Sequence, residues 1–462
     1  MSKSLRLVLI VSILAAFVAF LDSSVVNVAL PAITLGLGGG LAAQQWVVDA
    51  YLLSLGSFIL IAGSFSDLFG RKRILTAGLI GFLVTSILCA IAPNITFLIV
   101  ARAFQGVAGA LLVPSSLALI IAAFKGKEQA AAIGIWTAWT GMAFIVGPLL
   151  GGFLVDTVSW RWAFWMNVIP IAVTLVLLRS MELPEKLPKN VHVDIIGALL
   201  CVVALGGPVY AFIEQPGRGW SDPMVYIPLL LGIVASAIFL LYEKRTKYPM
   251  LPLSLFKVRN FSVGNLATLA IYAGLSVSMF IIVVFVQQVG GYSAFKSGLT
   301  LLPITLIMFF LSPRFGALAG KYGPRWFMAL GPIIGGLGFL TFLMVDPSIN
   351  FWTQLFPGII IFSIGLSMTV APLTAAILGD INPSNAGVGS AINNAVARIA
   401  GLVAIALIGL VIGPNPFGPC GVDYAVNAFH KGSIAMAVLL LIGGIISAIG
   451  IQNHKPLVKA KK

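Results

Sequence analysis

The sequence predicts an all-α protein that crosses a membrane about fourteen times. Of its 462 residues, 59% are hydrophobic and 9% are charged, and the mean hydropathy is +1.06. So few polar residues cannot cover a water-soluble fold of this length. Apolar runs of about 20 residues recur along the chain, which is the length that a helix needs to span a hydrocarbon core. These observations predict a multi-pass protein of the cell membrane.

The predicted spans follow one another with short connections. Charged residues, glycine and proline bound each apolar run. Lys3 and Arg6 precede the first run, but Asp22 interrupts it and it is too long for a signal peptide. In order, the spans are 7–31, 45–65, 74–93, 96–123, 129–156, 161–180, 194–214, 225–243, 261–288, 297–320, 326–345, 352–378, 387–413 and 432–452.

Basic residues predict the orientation of these spans. If the N-terminus is cytoplasmic, 21 of the 28 Lys and Arg residues fall in inside segments and four fall outside. The remaining three, Arg102, Arg314 and Arg398, lie within spans. This bias follows the positive-inside rule and predicts that both termini are cytoplasmic. It also explains the net charge of +14, so we expect no nucleic-acid partner.

A faint internal repeat predicts two similar halves. Gly63, Asp67 and Gly70 precede one basic loop, and glycines 316, 320 and 323 precede another, at a constant offset of 253 residues. The chain then divides into a six-helix half (1–182), an inserted helix pair with its linkers (183–259), a second six-helix half (260–452) and a basic cytoplasmic tail (453–462). The alternative is that glycine-rich helix ends before basic loops are common in membrane proteins.

Several motifs together carry a resemblance to a known family. They are Leu21–Pro31 in span 1, Gly63–Arg73 in the loop after span 2, Arg102–Gly106 in span 4, Gly147–Gly152 in span 5, Trp160–Asn167, and Gln287–Ser293. With them the chain resembles the major facilitator superfamily, and within it the fourteen-helix drug:proton antiporters that export quaternary ammonium compounds and other drugs. Phe65 departs from the loop motif, where Leu is usual.

The resemblance implies a major facilitator fold that works by alternating access. It implies that Asp67, Gly70 and Arg71 form a cytoplasmic latch that stabilises the outward-facing state. It also implies that the segment with Gly147, Pro148, Gly151 and Gly152 is the antiporter motif, where close helix packing and bending accompany gating. A solvated basic loop is the alternative for the latch, but it does not explain the acid at position 67.

Buried charges are the candidates for proton coupling. Keeping a carboxylate ionised within a membrane costs about 2.5–3.5 kcal/mol on insertion scales, so Asp22 is a functional candidate. Asp22 lies roughly 14 Å and Arg102 roughly 9 Å from the outer surface at ~1.5 Å per residue, so the two can pair. A permanent structural ion pair is the alternative. Asp49 is a second candidate, with a solvated helix end as its alternative. Glu214 is expected at a wet helix end.

Polar and aromatic residues within spans are the candidates for a substrate site. Polar side chains facing lipid are costly, so we expect them to face a central cavity, and aromatic rings suit a lipophilic cation. Packing and lipid contact are the alternatives. The candidates are Asn27, Gln105, Trp136, Trp139, Gln287, Asn393, Asn394 and Arg398.

Other classes of function lack their motifs. No phosphate-binding loop or nucleophile elbow occurs, and three His without paired Cys predict neither catalysis nor a metal or other cofactor. We therefore expect a monomeric, proton-coupled exporter of lipophilic, often cationic small molecules in a lipid membrane. Spans 9–14 contain no deep carboxylate, so we expect substrates with one positive charge to suit the site better than substrates with two. An exporter of one endogenous metabolite or lipid and a non-transporting membrane sensor are the alternatives.

Overall fold

A computed structural model describes residues 3–181, 193–382, 386–414, 416–417 and 421–453. Every regular element within these residues is a helix, and fourteen helical segments are long and apolar enough to cross a membrane. The predicted class and number of spans are therefore confirmed. Residues 454–462 of the basic tail, most of the linker after residue 181, and Cys420 lie outside the described residues.

Fifteen α-helices follow one another along the described chain. They are α1 (Lys3–Leu37), α2 (Leu41–Phe69), α3 (Arg71–Ala90), α4 (Ile95–Ala123), α5 (Gly126–Thr157), α6 (Trp162–Trp165), α7 (Val168–Arg179), α8 (Ile195–Arg218), α9 (Pro223–Arg245), α10 (Arg259–Gln288), α11 (Ala294–Tyr322), α12 (Arg325–Leu340), α13 (Phe356–Gly379), α14 (Ala386–Ile412) and α15 (Val422–Gly450).

Helix ends differ from the predicted spans where a helix extends past its apolar run. Helix α1 continues through Pro31 to Leu37, and α15 begins at Val422, ten residues before its predicted span. A helix ends where its backbone hydrogen bonds end, whereas hydropathy detects only the part that suits hydrocarbon. Predicted span 6 is divided between the short helix α6 and α7.

The two halves pack their helices in the same pattern. Helix α4 packs against α1, α2 and α3, and α13 packs against α10, α11 and α12 in the same relation. The caps of α2 and α11 also match, since Gly70 (φ 96°) and Gly323 (φ 89°) adopt similar positive-φ conformations that side chains other than glycine rarely adopt. The repeat and the two-half fold are thus present in the structure, while the exact domain boundaries remain a prediction.

The inserted helices α8 and α9 form a close pair. A Cβ on Gly207 would lie 2.2 Å from the Pro228 carbonyl oxygen, and one on Gly232 would lie 2.3 Å from Pro208 Cδ. Only glycine permits this approach. Helix α8 also packs against α2 of the first half and α14 of the second half, so the inserted pair contacts both.

Two hydrogen bonds of α10 define the two sides of the bundle. Arg259 at the start of α10 donates to Gly450 at the end of α15, and Gln287 at the end of α10 donates to Val28 in α1. Helices α1 and α10 therefore run parallel, and the start of α1 lies on the same side as the end of α15. We call this the termini side and the opposite side the far side.

Candidate functional site

Asp22 lies at the centre of a buried polar network within the first half. Arg102 Nη1 donates to Asp22 Oδ2 at 2.5 Å, and Gln105 Nε2 and Asn167 Nδ2 donate to Oδ1 at 3.0 and 2.8 Å. The Ser86 hydroxyl accepts from the same Gln105 and Asn167 amides at 2.9 and 3.3 Å. Asp22 is fully buried. Helices α1, α3 and α4 and the residue before α7 thus converge on one carboxylate.

Arg102 is held by several groups besides its carboxylate. Its Nε donates to the Val47 carbonyl oxygen at 3.1 Å, and its Cζ lies 4.2 Å from the centroid of the Tyr51 ring and 5.9 Å from that of Phe164. Its side chain is 1% exposed. The predicted pairing of Arg102 with Asp22 is therefore present, and solvent does not reach it in this structure.

Two members of this network were not among the predicted site residues. Ser86 is a hydroxyl within an apolar helix, which sequence reasoning treats as packing. Asn167 belongs to a motif that carried the resemblance, but it received no role. Asn167 lies at the start of α7, because the helix breaks between α6 and α7. An analysis of apolar runs does not detect such a break.

Asp49 is a buried carboxylate without a hydrogen-bond partner. It is fully buried, and neither of its oxygens accepts a hydrogen bond from any residue that the structure describes. The preceding turn of α2 contacts other helices on both sides: Gln45 donates to the Ile405 carbonyl of α14, and Trp46 donates to Glu214 of α8 at 3.0 Å. Asp49 therefore lies close to where α2, α8 and α14 meet, and the alternative of a solvated helix end is wrong.

Glu214 itself is partly solvated, as expected. It lies one turn before the end of α8, accepts from Arg218 at 3.1 Å, and is 24% exposed. Because Glu214 also accepts from Trp46, it joins the inserted helix to α2 near the far side.

The predicted substrate residues separate into two groups. Trp139 is 55% exposed and Asn394 is exposed, while Asn27 and Arg398 are half-buried. The Cζ of Arg398 lies 5.3 Å from the centroid of Phe20 in the other half. This group retains exposed side-chain surface, on which a ligand and lipid are the two alternatives.

The second group is engaged in packing. Trp136 donates to the Ser12 carbonyl at 3.3 Å, and Asn393 donates to Asn265 and Thr268 at 3.2 and 2.9 Å. Gln287 donates to Val28 and to Ser297 at 2.9 and 2.7 Å, which connects α10 to α1 and α11. Gln105 is buried beside Asp22, so it does not face a cavity in this structure.

Residues of the predicted antiporter motif close the far side. A Cβ on Gly147 would lie 2.7 Å from the Ser24 side chain, and one on Gly151 would lie 2.5 Å from Val25.

A Cβ on Gly152 would lie 2.6 Å from the Ala294 carbonyl oxygen of α11. A Cβ on Gly298, also in α11, would lie 2.4 Å from the carbonyl oxygen of Pro148 in α5. Helix α5 is therefore in close contact with α1 and, across the interface between the halves, with α11.

Asp156 completes this contact and was not predicted. Its two carboxylate oxygens accept from the backbone amides of Ala294 and Phe295 at 2.9 and 2.8 Å. These amides belong to the first turn of α11, where backbone donors have no partner within the helix. A carboxylate at the end of α5 thus caps a helix of the other half.

The predicted latch residues lie at the termini side. Gly70 separates α2 from α3, and the side chain of Asp67 lies outside what the structure describes. The Lys72 ammonium donates to the Met181 carbonyl oxygen beyond α7. At the matching place in the second half, Arg325 Nε donates to the Ala448 carbonyl oxygen of α15 at 2.8 Å. These contacts connect helices within a half.

The described contacts between the halves lie at the far side, whereas several glycines toward the termini side face open space. In the parts of helices that lie toward the termini side, a Cβ on Gly63, Gly134, Gly141, Gly320 or Gly387 would meet no atom within 4 Å. The α5–α11 and α2–α14 contacts described above lie toward the far side. Within the described residues, no group of three or more His, Cys, Asp or Glu side chains could hold a metal ion.

Comparison with known proteins identifies related sequences and folds. Residues 12–405 match the family model described as Major Facilitator Superfamily. The chain is 34% identical over 412 residues to "Methylenomycin A resistance protein" of Bacillus subtilis (strain 168), covering 88% of this chain and 87% of that protein. It is 33% identical over 414 residues to "Multidrug resistance protein Stp" of Mycobacterium tuberculosis (strain CDC 1551 / Oshkosh), covering 89% and 76%.

Solved structures share the fold at low sequence identity. A crystal structure of the peptide transporter POT in complex with sulfate superposes with a TM-score of 0.70 at 16% identity, covering 97% of this chain and 94% of that chain.

Proposed function

The chain belongs to the major facilitator superfamily, and on this basis we propose that it exports lipophilic, drug-like small molecules in exchange for protons. It is a transporter of the cell membrane with fourteen apolar helices and not an enzyme. Relatives named for resistance to methylenomycin A and to multiple drugs support export of such compounds. Small molecules, protons and lipids are then its partners, and the monomer is the transporting unit.

The observation that carries proton coupling is the buried Asp22–Arg102 pair. A carboxylate with three donors and no solvent contact can release its arginine only when another positive charge, such as a proton, replaces it. Protonation of Asp22 therefore frees Arg102, and re-pairing expels the proton. Since the network joins α1, α3, α4 and the start of α7, the exchange alters helix packing within the first half.

Asp49 is the second proton carrier in this proposal. An ionised carboxylate is costly in a buried site, and Asp49 has no hydrogen-bond partner among the described residues, so Asp49 carries its proton while α2 contacts α8 and α14. Separation of α2 from α14 on opening of the far side gives this carboxyl group access to water, where it can exchange its proton.

Alternating access follows from the interface between the halves. The far side opens when α5 leaves α11 and α2 leaves α14. The termini side then closes, and Asp67, Gly70 and Arg71 act there as a latch. Each proton that moves inward across about 100 mV supplies ~2.3 kcal/mol, which sustains a concentration ratio of roughly fifty.

The test is uphill export by purified protein in proteoliposomes with an imposed pH gradient. Asp22→Asn keeps the shape of the side chain but removes its titration, so we expect it to abolish pH-driven accumulation. Asp423→Asn, at an exposed acid in the first turn of α15, is the matched control and should behave like the parent. Unchanged accumulation by folded, inserted Asp22→Asn would refute the coupling role.

A further inference from the structure

One face of α14 lines a cavity between the halves. Residues 387, 391, 394 and 398 share this face by helical spacing. Gly387 and Asn394 are exposed, whereas Arg398 is half-buried. One turn further, a Cβ on Gly401 would lie 3.9 Å from Leu52 Cδ1 of α2, and Gln45 of α2 donates to the Ile405 carbonyl oxygen of α14, so the two halves meet there. The cavity therefore opens on the termini side and ends near Arg398.

Arg398 has no counter-charge among the described residues. Among these residues no carboxylate lies within ion-pair distance of its guanidinium. Asp22, two residues after Phe20 in α1, is fully buried and accepts from Arg102, Gln105 and Asn167. An arginine within a membrane protein normally pairs with an acid or faces water, and an uncompensated charge there is costly.

Aromatic rings lie beside this cation. The Phe20 ring, 5.3 Å from the Arg398 Cζ, packs against Phe144 of α5 with ring centroids 5.8 Å apart. Phe144 is 38% exposed, so part of this apolar surface remains available. A guanidinium next to partly open rings matches a ligand that has an apolar, aromatic body and a negatively charged group.

We propose that this cavity binds organic anions, and that Arg398 pairs with the substrate carboxylate while Phe20 and Phe144 contact its apolar body. This inference rests on the proposed export function and specifies its substrate class. The sequence favoured lipophilic cations, but a cation bound here would face Arg398 and meet no free carboxylate on the described cavity surface. Neutral amphiphiles would bind through the rings alone, and hence more weakly than anions.

Three probes with one aromatic body test the charge preference. They are 2-naphthoate, 2-naphthamide and 2-naphthylmethylammonium, whose binding to the purified full-length protein is measured by equilibrium dialysis at neutral pH. We expect naphthoate to bind most tightly to the parent. Arg398→Gln should weaken naphthoate binding by about tenfold or more, because a hydrogen bond to a charged group is lost. Naphthamide binding should change by less than about threefold.

Two variants separate a charge contact from a packing effect. Arg398→Lys keeps the positive charge and should retain part of the naphthoate binding even if the glutamine variant folds poorly. Lys244→Gln removes an exposed positive charge at the end of α9 and should leave all three affinities unchanged. Tighter binding of the ammonium probe than of naphthoate, no naphthoate binding by the parent, or equal loss of naphthamide binding in Arg398→Gln would overturn the inference.

Export of the same probes distinguishes this inference from the proposed function. If naphthoate binds through Arg398 but no compound is exported uphill, the export function fails and the anion site stands. If drugs are exported uphill while naphthoate neither binds nor competes with them, the anion site fails and the export function stands.

Discussion

The contact between α5 and α11 should determine how often the far side opens. Gly152→Ala places a methyl group 2.6 Å from the Ala294 carbonyl oxygen and 2.7 Å from the Phe295 Cα. Both are backbone atoms at the start of α11, so neither can rotate away. To reach 3.4 Å, where ordinary contact begins, the helices must separate by about 0.8 Å. The substitution therefore penalises only the state in which the far side is closed.

The expected shift follows from the cost of overpacking. Adding a methyl group to a close-packed contact costs about 1–3 kcal/mol. Applied to one of two states, this changes the ratio of their populations by roughly 5- to 150-fold. The population of the far-side-open state should rise by that factor while it remains the minor state.

A buried thiol on the far side can measure this population. Ile405 of α14 is 3% exposed, and its carbonyl accepts from Gln45 of α2. With the native cysteines replaced, Ile405→Cys should react with an impermeant maleimide only when α2 and α14 separate. Its labelling rate is then proportional to the far-side-open population. We expect Gly152→Ala to raise this rate at least about fivefold.

The control lies in the same helix. A methyl group on Gly141 would meet no atom within 4 Å, so Gly141→Ala should leave the labelling rate unchanged. Equal rates in Gly152→Ala, Gly141→Ala and the parent would show that the α5–α11 contact does not hold the far side closed, and the reasoning would be refuted.

Other contacts give further expectations. Asp156→Ala removes the acceptor for two amides of α11 and should raise the same labelling rate about tenfold, with an unchanged rate counting against a gating role. Arg102→Gln leaves Asp22 buried without its cation, at a cost of about 3–5 kcal/mol, and should reduce the folded fraction on size-exclusion chromatography. Adding Asp22→Asn should restore folding; failure to do so would contradict the pairing argument. Gly323→Ala forces a side chain into a positive-φ conformation and should lower the thermal midpoint by several degrees, unlike Gly320→Ala.

The sequence by itself determined the number of spans, the class of fold and the repeat between the halves. Hydrocarbon thickness fixes the length of an apolar run, so the runs could be counted without any tertiary information. The depth of Asp22 and Arg102 in their helices also follows from counting residues, which is why their pairing could be anticipated. Motifs such as Gly147–Gly152 likewise indicated close helix packing, because only small residues allow it.

Which helix faces meet was decided only by the tertiary structure. Hydropathy is averaged around a helix, so it does not show whether Asp49 points to solvent or into a junction of three helices. For the same reason hydropathy does not distinguish Gln105 from Asn394, because both are amides within apolar helices. In the structure Gln105 is buried beside Asp22, whereas Asn394 is exposed. Asp156 accepts from the amides of Ala294 and Phe295, which lie 138 and 139 positions further along the sequence. Such contacts depend on how rigid helices pack, which local sequence does not specify.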